Sequence, residues 1–236
     1  MGEEVFRSGS LEMSATPLDG LATDLPWADV LTNQVLAVVS VALLLLVLPD
    51  FFRLLPDLLY SFDRTRGAAA LEHSVSVART RNLTAFCCVL PFCLTVDRHA
   101  LWRPGFWSAI PAAWSAPALL GAMLLFLLFR RLCFLSMRPR RLGSEESDTL
   151  HHAPFNFFIL LTILLLATSG IMSLLHCDAA LIRTVLLWEA GVVWLFSLLR
   201  SGQFLAGHCN VFSTFLYLCG LEILPVALVV AVVLFF

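Results

Sequence analysis

Two acidic residues lie within long apolar stretches near the end of the chain, Glu189 and Glu222. A carboxyl group at membrane depth is costly and usually faces the interior of a helix bundle or a water-filled cavity. Glu189 precedes Leu199, the predicted end of one span, and Glu222 follows Val211, the predicted start of the next, at similar distances of about 15 Å along each helix. If these helices pack as an antiparallel pair, the two carboxyl groups are level. Glu189 and Glu222 therefore form a candidate intramembrane site for a proton or a cation.

A second interpretation of the same residues needs no ligand. Each Glu would be protonated and would hydrogen-bond a hydroxyl or a backbone carbonyl on a neighbouring helix, which holds helices together. Pro225 bears on either interpretation, because it has no amide hydrogen and leaves the carbonyl of Leu221 without its helical partner. The sequence thus predicts a kink beside Glu222, and it places Arg183 as a possible charge at the outer mouth of such a site.

The elements that hold these acids must lie in lipid. Of the 236 residues, 59% are hydrophobic and 14% are charged, whereas soluble domains carry roughly 25% charged residues. So much apolar surface cannot be covered by so few charges, which excludes a soluble enzyme. The 15 basic residues are all Arg and the formal net charge is -2, which leaves no basic excess for nucleic acid.

Apolar runs long enough to cross a hydrocarbon layer predict the helices. Five are clear, at 30-48, 106-129, 155-175, 181-199 and 211-236. A shorter run at 83-96 is either a sixth span or a re-entrant or interfacial segment. It extends to 75-96 if Arg79 and Arg81 reach toward the headgroups.

The arginines decide between the two topologies, because basic residues in short loops stay on the cytoplasmic side. Six spans put eleven Arg on one side and four on the other, whereas five spans give seven against eight. We therefore expect an all-helical membrane bundle of six transmembrane helices with both termini outside the cytoplasm. Residues 1-29 form an acidic tail, and residues 30-236 form the membrane domain.

The remaining polar residues predict lipid contact rather than catalysis. Arginines at one cytoplasmic loop would meet anionic headgroups: Arg130, Arg131, Arg138, Arg140 and Arg141. The histidines and cysteines show no metal-binding spacing, and no nucleotide or nucleophile motif occurs. We expect no metal, no cofactor and no catalytic residue.

The last span carries the segment Phe215-Leu216-Tyr217-Leu218-Cys219-Gly220-Leu221-Glu222-Ile223-Leu224-Pro225. It resembles the C-terminal signature of a family of Bacteroidetes polytopic membrane proteins of unknown function. Asn156-Phe157-Phe158 is similar to another segment of that family. The resemblance implies a location in the bacterial inner membrane and marks Glu222 as a candidate functional residue. It implies no activity.

Three functions fit these observations. The first is a non-enzymatic scaffold or accessory subunit, since short loops and small-residue helix seams suit association with other membrane proteins or with further copies. The second is a small proton- or cation-coupled transporter that uses Glu189 and Glu222. The third, a lipid-modifying enzyme, requires a nucleophile and a base at one depth, and the sequence does not show them.

Overall fold

A computed structural model of the chain describes residues 27-63, 75-136, 144-208 and 211-235, and these are helical with no strand among them. The long helices are α1 (Leu31–Asp63), α2 (Val75–Arg98), α3 (Ala112–Ser136), α4 (Ser144–Leu174) and α5 (Ala179–His208). The last part is α6 (Val211–Leu218), a π-helical turn (Cys219–Ile223) and α7 (Leu224–Phe235). Two short 3-10 turns, Trp27–Asp29 and Gly105–Ala109, precede α1 and α3.

Five helical segments of the described chain are long and apolar enough to cross a membrane. They are Leu31–Pro56, Ala112–Ser136, Pro154–Leu174, Ala179–Gly207 and Phe212–Phe235. Large apolar side chains are exposed on all five, as Leu45, Leu125, Ile171, Trp188 and Phe215 illustrate. Such outward apolar faces suit a lipid environment, so the chain is an integral, multi-pass membrane protein.

The second helix is the centre of the bundle. Helix α2 packs against α1, α3 and α4, and its buried residues include Ala85, Cys88, Val89 and Cys93. The cysteines here are buried free thiols, as expected of small apolar side chains. A helix enclosed by three others needs less apolar surface than one that faces lipid, which explains why α2 is the most polar of the long helices.

One expectation for α2 is wrong. Arg79 is exposed, but Arg81 is only 1% exposed. Its Nε and Nη2 donate to Oδ1 of Asn82 at 3.3 and 3.2 Å. Arg81 is therefore buried instead of reaching out to headgroups.

Several helices extend beyond their predicted bounds. Helix α1 continues through Pro49 and Pro56, and Leu54 near its end packs with Ala85 and Ile159. Burial of Leu54 on α2 and α4 stabilises a helical extension that the two prolines alone disfavour. Helix α3, by contrast, begins only at Ala112, because the residues expected to start it form the 3-10 turn Gly105–Ala109.

Candidate functional site

The structure assigns Glu189 to the seam between α4 and α5. The Thr168 hydroxyl donates to Oε1 of Glu189 at 3.1 Å. The other oxygen, Oε2, is buried and has no hydrogen-bond partner among the described residues. The neighbouring turns of α4 and α5 are apolar, with Leu165, Ile182 and Leu186 in one buried cluster. Glu189 thus has the environment of a helix-to-helix hydrogen bond in an otherwise apolar contact.

Glu222 lies elsewhere, and its partner is a cation. Nη2 of Arg130 donates to Oε1 of Glu222 at 2.9 Å, and the two side chains are 20% and 12% exposed. Arg130 comes from the last third of α3, and Glu222 from the π-helical turn. This ion pair joins residues 92 positions apart in the sequence. The sequence predicts that Arg130 contacts anionic lipid headgroups, whereas in the structure it pairs with a carboxylate of the bundle.

The two carboxyl groups are not brought together. Glu222 shares a cleft with Ser201 of α5, and Ser201 follows Glu189 by twelve residues, about 18 Å along the axis and about 120° around it. The level arrangement expected from the sequence assumed that the helix ends at Leu199, but α5 continues to His208. The turn of the hairpin is therefore shifted, and Glu222 lies opposite a later part of α5.

A narrow cleft surrounds the ion pair. Its polar lining comes from Arg130, Ser201, Tyr217 and Glu222, and apolar side chains such as Leu205 complete its walls. The cleft is small, with room for about one water molecule. Ser201 is 3% exposed, and its hydroxyl has no hydrogen-bond partner among the described residues. An unpartnered buried hydroxyl beside a largely buried ion pair needs a physical explanation, and a bound small polar species is one.

The π-helical turn explains the direction of Glu222. Pro225 cannot donate a backbone hydrogen bond, and its ring clashes with the carbonyl four residues earlier in a regular helix. The chain widens to a π turn at Cys219–Ile223, and the amide of Leu224 bonds to the carbonyl of Cys219. One additional residue in a turn shifts the helical phase by about 100°. The predicted kink at Pro225 thus takes the form of a π turn, which carries Glu222 toward α3.

A second polar cluster lies at the C-terminal end of α2, and the sequence does not predict it. Asp97 accepts a hydrogen bond from Nε1 of Trp27 at 2.7 Å and another from the hydroxyl of Ser115. Nε1 of Trp107 donates to that same hydroxyl at 3.3 Å. We call Trp27, Asp97, Trp107 and Ser115 the Asp97 network. It joins the segment before α1 to the ends of α2 and α3, through contacts between distant residues that no local pattern indicates.

The ring of Trp102 packs edge-on against Trp107, with 5.1 Å between ring centroids, and its Nε1 donates to the carbonyl of Val229 at 3.1 Å. Two residues after Asp97, burial and the charge of Arg98 lower the pKa of His99. Tryptophans gathered at one end of the bundle are typical of a membrane interface.

The other predicted site residues are not part of the cleft lining. Arg183 is exposed near the start of α5, and Arg131 is exposed beside Arg130. Pro225 is buried. The remaining lipid-contact candidates, Arg138, Arg140 and Arg141, lie outside the described residues. Within the described ranges no group of three metal-ligating side chains comes together.

No protein-family model, curated protein or solved structure matches this chain.

Proposed function

We propose that the protein is a six-helix scaffold or accessory subunit of a membrane, without enzymatic activity. The Asp97 network carries this proposal. It ties the segment before α1, the end of α2 and the start of α3 into one fixed unit. The same helices present large apolar side chains outward. Small residues are also exposed on α3, at Ala113 and Gly121, and small residues at a helix surface allow a helix of another membrane protein to approach closely.

The proposal includes α2 as the sixth span. Its 24 residues measure about 36 Å, enough to cross a hydrocarbon layer of about 30 Å. Arg81, Thr84 and Thr95 of this helix are buried, and α1, α3 and α4 pack against it, which favours its insertion in the assembled bundle. Six spans also leave eleven Arg on the proposed cytoplasmic side and four on the other, with both termini outside. The resemblance of the last span supports the inner membrane of a bacterium.

Purification in a mild detergent tests the scaffold role. We expect a second membrane protein to co-purify at a fixed stoichiometry and to be lost from the membrane when this chain is deleted. Ser115→Ala removes one of the two donors to Asp97, and it should reduce that recovery. Ser108→Ala, at an exposed hydroxyl of the preceding 3-10 turn, is the matched control. A chain that purifies alone and leaves the abundance of every other membrane protein unchanged contradicts the proposal.

A second candidate function is proton-coupled transport, and the cleft around the Arg130–Glu222 ion pair favours it. Because Glu189 and Glu222 have separate partners, single substitutions separate their roles. In reconstituted vesicles, Glu222→Gln should abolish proton-coupled flux, whereas Glu189→Gln should retain it. Flux that survives Glu222→Gln would exclude this carboxyl group as the coupling site.

A further inference from the structure

We propose that the cleft formed by α3, α5, α6 and the π-helical turn binds a small inorganic anion, with chloride as the test case. Arg130, Ser201 and Tyr217 would hold the anion, and Glu222 would take up one proton as the anion enters. This inference goes beyond the scaffold role and does not depend on it.

Three side chains that can donate to an anion line the cleft. A guanidinium has five N–H donors and cannot lose its charge in a protein. Arg130 uses one of these donors on Glu222. Ser201 and Tyr217 line the same cleft, and the Ser201 hydroxyl is buried without a partner among the described residues. Cation, hydroxyl and phenol together form a donor set suited to an anion.

The size of the cleft restricts the ligand. Room for about one water molecule accommodates a single small ion and excludes an organic cargo. The permanent charge of Arg130 opposes a metal cation at this place. Glu222 already occupies the position of an anion at 2.9 Å from Nη2 of Arg130, so an external anion must compete with it.

Charge neutrality links the anion to a proton. With Glu222 ionised, the pair has no net charge. If an anion entered this state, the largely buried site would hold one uncompensated negative charge, which is costly. Protonation of Glu222 removes that charge, so that the guanidinium and the bound anion again balance. One proton is therefore taken up for each anion bound.

Few other titratable groups face this pair. The cleft lining contributes Arg130, Tyr217 and Glu222. Next to it on the packed elements are Arg131 and Cys133 on α3, Arg200 on α5, and Cys219 on the π turn. Arg200 donates to Oε1 of Gln203 at 3.0 Å, and α7 carries no titratable side chain. Glu222 is thus the acid whose protonation changes the charge of the cleft.

Equilibrium dialysis with radiolabelled chloride tests the proposal on the full chain purified in detergent. Because chloride binding requires a protonated Glu222, binding weakens as the pH rises. We expect saturable binding of one ion per chain at low pH, with an affinity that falls about tenfold per pH unit once Glu222 is ionised. Proton uptake in weakly buffered solution should match the chloride bound. Glu222→Gln should bind chloride with no dependence on pH, and Arg130→Gln should not bind it.

Two further variants keep the test valid if the ion-pair variants do not fold. Ser201→Ala should weaken chloride binding about threefold to tenfold through loss of one donor and leave the pH slope unchanged. Ser197→Ala, one turn earlier on the same helix and also buried, is the matched control and should bind as the native chain does. Absence of saturable chloride binding by the folded native chain, or equal affinities for the Ser201→Ala and native chains, would overturn the proposal.

Discussion

At the residue scale, the two acids of the apolar stretches have different roles. Glu189 accepts a hydrogen bond from Thr168, and Glu222 pairs with Arg130. The sequence singles out both acids as inward-facing polar groups. It could not identify Arg130 as a partner, because that contact depends on how α3 crosses the last helix and on the phase shift of the π turn.

The ion pair predicts a coupling between Arg130 and Glu222. Truncation of either residue to Ala leaves the other largely buried charge without its partner and should destabilise the protein by about 3 kcal/mol. The double variant should be less destabilised than the sum of the singles by more than about 1 kcal/mol. Unfolding of the four proteins in detergent measures this difference, and additive effects would show that the pair contributes no coupling.

At the element scale, the ends of helices and the contacts between them follow from backbone geometry. Helix α2 ends in a turn where the amide of Leu101 bonds to the carbonyl of Val96 at 2.9 Å and that of Ala100 to Asp97 at 3.1 Å. This is the Schellman arrangement, which usually has Gly at the left-handed position. Here that position is Ala100, with a φ of 49°. Because the left-handed residue is Ala and not Gly, the sequence does not predict this helix end.

Ala100→Gly should stabilise the protein by about 1 kcal/mol, because a residue without Cβ adopts this conformation freely. The same substitution at Ala167, an exposed position inside α4, should destabilise it by about 0.5 to 1 kcal/mol. Thermal unfolding midpoints of the two variants should thus move in opposite directions. A fall in both would show that Ala100 is not strained.

Close packing of α5 on α6 gives a second prediction at this scale. A Cβ on Gly202 would lie 2.9 Å from Cδ1 of Leu218, whereas a Cβ on Gly191 of the same helix meets nothing within 4 Å. The end of the Leu218 side chain can move away from a single Cβ, but Gly202→Leu adds a whole side chain at this contact. It should cost about 1 kcal/mol through overpacking, and Gly191→Leu should be nearly neutral. Unfolding in detergent compares them, and equal costs would contradict the packing of this hairpin.

At the scale of the whole molecule, the sequence predicted the architecture better than the site. Composition and long apolar runs were sufficient for a helical membrane protein, and the five long segments recur with shifted bounds. These shifts in helix bounds determine which residues of α5 lie beside Glu222. Because α5 continues to His208, the depth comparison between Glu189 and Glu222 was wrong. Helix ends depend on tertiary contacts, and a short run of apolar residues does not determine them.

The proposed crossing of the membrane by α2 can be checked from both of its ends. Arg79, near the start of α2, and Ser108, after its end, are both exposed. In intact cells, Ser108→Cys should gain labelling by a membrane-impermeant maleimide over the native chain, and Arg79→Cys should not until the membrane is permeabilised. Equal labelling of both variants from outside would place the two ends of α2 on one side and exclude six spans.

The buried position of Arg81 has a consequence for biogenesis. An arginine at the centre of a membrane-spanning helix opposes insertion by about 2.5 to 3.5 kcal/mol. Arg81 lies nearer the start of α2, where this cost is smaller, and its burial removes the side chain from lipid. One of the helices that cover α2 is α4, which begins only at Ser144. The cover that α4 gives to α2 therefore forms only after α3 and α4 have been synthesised. A chain truncated before α4 lacks this cover, and we expect it to be degraded faster in cells than the full chain.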